Sequence, residues 1–212
     1  MSVQQLIDFF DHRPTELIAQ DLLGKTLLYH GPKGTVGGLI VETEAYLGQQ
    51  DTAAHAYQGH RSKANEPLYG PPGTIYIYQR HSQYCFDIAA QAKDIPQGIL
   101  IRGLEPTIGL AIMQQNRQRP NFYEITNGPG KLMQALGIQS TDMNNLQMDH
   151  APLTIDLTTF KTPRAIESSA RIGVRKNGTW VDKPLRFFVT GNPYVSKMRK
   201  REMQLETRGW QA

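Results

Sequence analysis

The sequence is poor in the features that announce several large classes of protein. A single cysteine, Cys85, stands among 212 residues, which excludes an internal disulfide framework. The opening Met1-Ser-Val-Gln-Gln5 has neither a basic stretch nor a long apolar one, so a reducing, cytosolic setting is expected. No apolar run approaches the roughly 18 residues of a membrane span, and no transmembrane helix is expected. The six histidines, at 12, 30, 55, 60, 81 and 150, form no close-spaced pattern with carboxylates or thiols, which argues against a metal centre. Neither an internal repeat nor a low-complexity linker is present. Thr126-Asn-Gly-Pro-Gly-Lys-Leu132 holds a Gly-Lys pair, but no glycine stands five residues before Gly130 and no Ser or Thr follows Lys131. A Walker nucleotide loop is thereby excluded, and a helix N-terminus preceded by glycines fits better; free amides there can hold a phosphate. Asn177-Gly-Thr179 matches a glycosylation sequon, but without a secretion signal it reads as a turn.

What is present is a globular composition rich in turns and strands, with 39% hydrophobic residues, 19 glycines and 13 prolines. One folding unit over residues 1–212 is the simplest organisation, with a basic tail from about residue 197 (Lys197 to Arg201). The net charge of +4 and a pI of 9.2 permit attraction to a phosphate backbone without establishing it.

Along the chain, Ser2 with Gln5 predicts a capped helix ending near Pro14, and a second helix runs from about Pro14 to Leu23 with Gly24 as its stop. Lys25–His30 and the stretch Gly38-Leu-Ile-Val-Glu-Thr-Glu-Ala-Tyr46 read as a hairpin about a Gly31–Gly34 turn. Residues 47–73 are long, polar and rich in Gly and Pro; such a loop is more often functional than idle. Strands are predicted at 74–78, 84–88, 99–104, 153–157 and 185–189. Helices are predicted from Glu105 to about Arg117 and from Pro129 to Leu136.

The second strand of the hairpin carries the first chemical signal. Alternation puts Glu42, Glu44 and Tyr46 on the face of Ile40, and a strand that points acids inward needs partners for them. An exposed strand face is the plain alternative. Arg102, between Leu100 and Leu104, equally needs a carboxylate or phosphate. With Tyr78, Asp87 and His55 these residues make an inward set of aromatic, acidic and basic groups.

The wording of the sequence around these residues is recognisable. Val41-Glu-Thr-Glu-Ala-Tyr-Leu-Gly48, Ala54-His55, Gly70-Pro-Pro-Gly-Thr-Ile-Tyr-Ile-Tyr78, Leu100-Ile-Arg-Gly-Leu-Glu-Pro106, Asn127-Gly-Pro-Gly-Lys-Leu132, Ala170-Arg-Ile-Gly173 and Lys183-Pro-Leu-Arg-Phe187 resemble, in this order, the alkyladenine (3-methyladenine) DNA glycosylase family. The resemblance covers residues 15 to 197. It implies an α+β fold: a single compact domain with a curved, open-barrel-like antiparallel sheet, surrounding helices, and a hairpin that enters the DNA minor groove. It implies a monofunctional enzyme of base excision repair, needing no cofactor, acting as a monomer on double-stranded DNA with damaged bases, in a bacterial-type cytoplasm near the nucleoid.

By the same resemblance, Glu44 would activate the attacking water, Arg102 would orient it, and the Ile172 carbonyl would be a third water contact. Tyr46 would stack on one face of a flipped purine, with Tyr78 and His55 on the other. Lys131, like the segment Lys197 to Arg201, reads equally as a DNA phosphate contact or as solvated surface. The ion pair with Arg102 is expected to keep Glu44 ionised near neutral pH. Alkylated purines such as 3-methyladenine and 7-methylguanine are the implied substrates, with hypoxanthine or etheno-adenine as further ones. No lysine falls at these positions, so an imine intermediate is not expected.

Two departures lie between Tyr78 and Ile88. Where the family has a tyrosine that wedges into the minor groove, this chain has Gln79-Arg-His-Ser-Gln83, one residue shorter; counting forward from Tyr78 gives His81, counting back from Asp87 gives Arg80. Asp87 replaces an asparagine that crowds the exocyclic amine of guanine. An ionised aspartate only accepts hydrogen bonds, which predicts a preference for cationic bases. A non-catalytic damaged-DNA binder and a glycoside hydrolase acting through Glu42 and Glu44 are the alternative readings.

Overall fold

The computed structural model describes residues 2–118, 122–174 and 178–212; Asn177, the first residue of the expected Asn177-Gly178 turn, lies outside the described residues. The chain starts as its capping residues dictate. Ser2 caps α1 (Val3–Phe10): its hydroxyl accepts from the Gln5 amide at 3.2 Å, while the Gln5 side chain accepts from the Ser2 amide at 2.8 Å. Helix α1 buries Leu6 and Phe10, and α2 (Thr15–Asp21) buries Ile18 and Ala19. Gly24 then takes a φ of +88°, a conformation costly to any residue with a β-carbon, and its amide reaches the Ile40 carbonyl at 2.8 Å.

The hairpin follows as β1 (Lys25–Gly31) and β2 (Gly34–Tyr46), with Gly31 opposite Gly34. Strand β2 is the spine of the sheet. On one edge it pairs with β5 (Gln97–Ile108) from Gly37 to Tyr46; on the other it pairs first with β1 and then, at Glu42 to Glu44, with β8 (Arg186–Val189). Every residue from Val36 to Ala45 is buried, so the acidic strand is not an exposed face. With β3 (Ile75–Arg80), β4 (Gln83–Ala90), β6 (Leu153–Phe160) and β7 (Ile166–Ser169), the order is β3-β4-β5-β2-β1-β6, with β8 beside β2 and β7 beside β8. The result is an open antiparallel sheet of eight strands. Helix α4 (Pro129–Leu136) packs on β4 and β5, and α3 (Leu110–Arg117) packs on α4. The fold is thus the α+β class expected. No helix among the described residues is long and apolar enough to cross a membrane.

The β2–β5 ladder is interrupted where the two acids lie. Ile40 faces Leu104, Glu42 faces Gly103 and Thr43 faces Ile101, so Val41 on one strand and Arg102 on the other are passed over by the register. Bulges of this kind re-aim side chains and recur beside functional sites.

The helix expected from Glu105 begins later. Strand β5 continues through Ile108, and α3 starts after Gly109 at a φ of +67°. Buried Glu105 holds the chain in the sheet by accepting from Trp210 Nε1 at 2.8 Å, Asn192 Nδ2 at 2.7 Å and Arg208 Nη1 at 2.9 Å. Pro106 costs no ladder bond toward β4, which pairs only with Gln97 to Leu100. The same network fastens the end of the chain, where Trp210 is buried.

The 47–73 segment has short 3-10 turns at Gly48–Gln50, Tyr57–Gly59 and Glu66–Tyr69. Strands β3 and β4 are joined by a two-residue turn, His81 and Ser82, with φ of +46° and +63°. Positive φ at both positions matches the right-handed twist of a tight hairpin.

Candidate active site

Strand β2 places Glu42 and Glu44 on either side of Arg102, and both carboxylates are fully buried. Their surroundings differ. Glu42 Oε1 accepts from Arg102 Nε at 3.0 Å and from Arg186 Nε at 2.6 Å, and its Oε2 accepts from the Ser196 amide at 2.8 Å. Burial alone would raise its pKa, but the two guanidiniums and the amide outweigh burial and hold Glu42 below the ordinary glutamate range.

Glu44 Oε1 accepts from the Ile172 amide at 2.7 Å and lies 3.3 Å from Arg102 Nη1; its Oε2 accepts from the Tyr46 hydroxyl at 2.8 Å. Here burial prevails: it raises the Glu44 pKa above the ordinary value of 4.5 against the pull of Arg102, Ile172 and Tyr46, with the charge of Glu42 adding to the rise. Arg102 favours the Glu44 carboxylate, as expected, but by less than burial disfavours it. Arg102 is shared, and its Nε bond goes to Glu42.

The segment carrying Ile172 is clamped from behind. The side chains of Arg171 and Asp51 are both fully buried, with Nη2 to Oδ1 at 2.8 Å and Nη1 to Oδ2 at 2.5 Å; Arg171 also donates to the Ala45 carbonyl at 2.9 Å. Its guanidinium lies 4.5 Å from the centre of the Tyr46 ring. Asp51 further accepts from the amides of Leu47 and Ala53 at 3.0 Å, which fixes the start of the long loop.

Above this layer opens a cavity of about 1060 Å³ lined by Tyr46, His55, Tyr76, Tyr78, Asp87 and Arg80, among others. It is an aromatic box. Tyr76 and Tyr78 stack at 4.9 Å, and the His55 ring stands edge-on to Tyr78 at 4.7 Å with its Nδ1 at 2.8 Å from the Tyr76 hydroxyl. Burial, with Arg80 and His60, lowers the His55 pKa and favours the neutral ring. Burial also raises Tyr46 and Tyr78 well above the ordinary tyrosine range, so both keep their protons.

Asp87 forms part of the cavity wall at 4% exposure, and its Oδ1 has no hydrogen-bond partner among the described residues. Burial pushes its pKa up to about 8; the charge of Glu44 adds to the rise, and hydrogen bonding by Tyr78 opposes it. A carboxyl raised this far favours its neutral acid at pH 7, a form that can donate a hydrogen bond as well as accept one.

A smaller cavity of about 290 Å³ adjoins, lined by Tyr46, Arg80, His81, Arg102, Lys131 and Ile172 among others. Arg80 donates to the Gly173 carbonyl and so bridges the hairpin to the Ile172 segment, whereas His81 is exposed at the tip of the turn. Lys131, in the first turn of α4, donates to Asn127 Oδ1 at 2.8 Å. Lys63 lines the larger cavity from an exposed position. Among the described residues no group of three His, Cys, Asp or Glu is placed to hold a metal ion.

The structure therefore brings Glu44, Arg102, Tyr46, Ile172, His55, Tyr78 and Asp87 into one neighbourhood, with Arg80, His81 and Lys131 beside it. Sequence reasoning assigned no role to Arg186, Arg171 or Asp51. The signal that singled out Arg102, an arginine flanked by apolar residues, is repeated at Arg171 and Arg186.

Residues 8–193 match the family described as methylpurine-DNA glycosylase (MPG). A protein of Latilactobacillus sakei subsp. sakei named 3-methyladenine DNA glycosylase is 55% identical over 202 residues, covering 95% of each chain. A protein of that name from Lactobacillus delbrueckii subsp. bulgaricus is 47% identical, covering 96% of this chain and 98% of its own. Another, from Staphylococcus saprophyticus, is 43% identical, covering 95% of this chain and 98% of its own. With a match of this extent lying over the buried acids and the aromatic cavity, the chain belongs to the methylpurine-DNA glycosylase family of hydrolases.

Proposed function

We propose that this protein is a monofunctional, monomeric glycosylase that turns an alkylated purine out of double-stranded DNA and hydrolyses its N-glycosidic bond with water activated by Glu44. The observation that carries this reading is the Glu44 carboxylate, buried and bonded to three groups, Tyr46, Arg102 and Ile172, that line the adjoining cavity. A carboxylate offers about four lone-pair sites, so the bonds from Ile172 and Tyr46 leave room for a water. As the base leaves, the sugar gains positive charge, which the Glu44 anion stabilises in a site of low dielectric. Glu42 is not equivalent. Its oxygens are committed to Arg102, Arg186 and Ser196, which makes it a holder of Arg102 and unsuits it to be the second carboxylate of a glycoside hydrolase.

The aromatic box accepts the flipped base between Tyr46 on one side and Tyr78 with His55 on the other. Stacking is tolerant of base identity and favours electron-poor, alkylated purines such as 3-methyladenine and 7-methylguanine; the neutral hypoxanthine and etheno-adenine gain less. His81, exposed at the tip of the β3–β4 turn, is the residue that enters the minor groove, while Arg80 is occupied at Gly173. Among the described residues, the groups bonded to Glu44 are a hydroxyl, a backbone amide and a guanidinium, which suits attack by water. Incubating the protein with duplex DNA treated with a methylating agent tests the reading. Free 3-methyladenine should appear and leave unbroken strands with abasic sites; release of no base would refute it.

A further inference from the structure

The pocket wall holds a buried carboxyl that the excision chemistry does not use. Asp87 lies on β4 opposite Tyr76 of β3 and Leu100 of β5, and it is buried with one carboxyl oxygen unpartnered inside an aromatic cavity. A buried polar atom without a partner costs roughly 1–3 kcal/mol, so a fold that keeps one facing a cavity leaves it available to whatever fills that cavity.

We propose that Asp87 reads the charge of the flipped base, meeting a cationic alkylated purine as a carboxylate and a neutral purine as a carboxylic acid. This inference rests on the proposed glycosylase reading and adds the property by which the site sorts its substrates. When a cationic base enters, the proton of Asp87 leaves to solvent and a carboxylate faces the cation. When a neutral base enters, Asp87 keeps its proton and donates it to a ring nitrogen or carbonyl oxygen of the base.

The groups around Asp87 suit this division. Glu44 and Tyr46 face it from β2, Tyr76 and Tyr78 from β3, and Cys85 from its own strand, while the nearest β5 positions, Gly98 and Leu100, carry no charge. Of the cations nearby, Arg102 lies 3.0 Å from Glu42 and 3.3 Å from Glu44, Arg171 pairs with Asp51, Arg80 donates to the Gly173 carbonyl and Lys63 lines the cavity from an exposed position; no ion pair is formed by Asp87 among the described residues. His55, across the cavity, is held toward its neutral form. Asp87 therefore lacks a resident counter-ion, and an incoming cation supplies one. Burial holds its proton to about pH 8, so a cation facing it at neutral pH displaces that proton.

The test compares wild type with Asp87→Asn, which keeps the shape and removes the titration. Single-turnover excision is measured from pH 7 to 9 with enzyme in excess of DNA but below saturation, where the free enzyme's titration is read, on duplexes carrying 3-methyladenine, a cation in DNA, or etheno-adenine, neutral throughout that range. Because the two carboxyls interact, the Glu44 inflection is located first in each protein, and the ratio of wild type to variant is read above it. For the cationic base the ratio should rise about tenfold between pH 7 and 9, following the ionised fraction of a group titrating near 8, and for the neutral base it should stay level or fall. A level ratio for the cation, or a parallel rise for both bases, overturns the proposal. Binding of the permanently cationic 3,9-dimethyladeninium ion, followed by tyrosine fluorescence, gives a readout without excision. Affinity for wild type alone should rise with pH; equal pH dependence in both proteins counts against Asp87. Excision absent while this binding behaves as expected would sink the glycosylase reading and spare the role of Asp87.

Discussion

Arg171 lies with its guanidinium 4.5 Å from the centre of the Tyr46 ring, and the Tyr46 hydroxyl donates to Glu44 Oε2 at 2.8 Å. Arg171 lines neither of the two cavities at the site, so it backs the ring whose other face the base would use. One buried cation thus supports both the stacking surface and, through the neighbouring Ile172 amide, the carboxylate. Replacing Arg171 with Lys keeps the charge but loses the fork onto Asp51. Single-turnover excision should fall about ten- to a hundredfold, and the acid limb of the pH profile should move up because the Ile172 amide no longer holds the anion. A variant with slower excision and an unmoved limb would reduce Arg171 to a packing role.

Asp51→Asn leaves the same buried cation without its partner. A loss of about 3–5 kcal/mol in stability is expected, read as the shift in urea midpoint. A loss under about 1 kcal/mol would mean that water or the Trp180 carbonyl, 3.3 Å from Arg171 Nη2, already compensates.

The two buried glutamates should separate stability from activity. Glu42 has a folded pKa below its unfolded one, so it contributes stability above the unfolded value and loses it as pH falls through the folded one. Glu44 has the opposite shift, so its carboxylate opposes folding above the folded pKa and protonation relieves the protein. At pH 7, Glu42→Gln should cost about 3–5 kcal/mol by stranding Arg102 and Arg186. Glu44→Gln should stay within about 1 kcal/mol of wild type. Thermal melts of the pair that rank the other way round would contradict the assignment.

The pH profile of excision should carry the signature of a raised carboxylate. With Glu44 as the proposed base, excision requires its carboxylate, so the rate should fall about tenfold for each pH unit below its pKa and be level above it. Measured in the Asp87→Asn background, where the second titration is absent, the inflection should lie above the 4.5 of an ordinary glutamate. An inflection at or below that value would show that the partners of Glu44 outweigh its burial.

At the hairpin tip, His81→Gly removes the side chain while suiting a φ of +46° better than histidine does. Stability should hold or improve slightly while excision from duplex drops about tenfold. Unchanged excision would move the wedge elsewhere.

Much of this site was legible in the sequence, for a physical reason. Alternation along β2 places Glu42, Glu44 and Tyr46 together whatever the rest of the chain does, and an arginine among aliphatics demands an acid. The capping pair Ser2 and Gln5 likewise fixed α1 locally. What stayed hidden depends on tertiary structure. Arg171 has apolar neighbours as Arg102 does, but its partner Asp51 is 120 residues away and nothing periodic marks it. The passing-over of Arg102 in the ladder, which lets it serve both glutamates, is a matter of register. Glu105 and Pro106 look like a helix start until Trp210, at the far end of the chain, is seen to hold Glu105 in the sheet. The neutral state of Asp87 follows from burial, which residue type alone does not disclose.

The central claim is that Glu44 activates water for base release, and one comparison tests it most directly. Wild type and Glu44→Gln are each given a duplex with a single 3-methyladenine; affinity is measured by anisotropy and excision under single turnover. The account predicts binding within about threefold of wild type, with excision reduced at least a hundredfold, the loss expected when a general base is removed. Excision at the wild-type rate by the variant would contradict it.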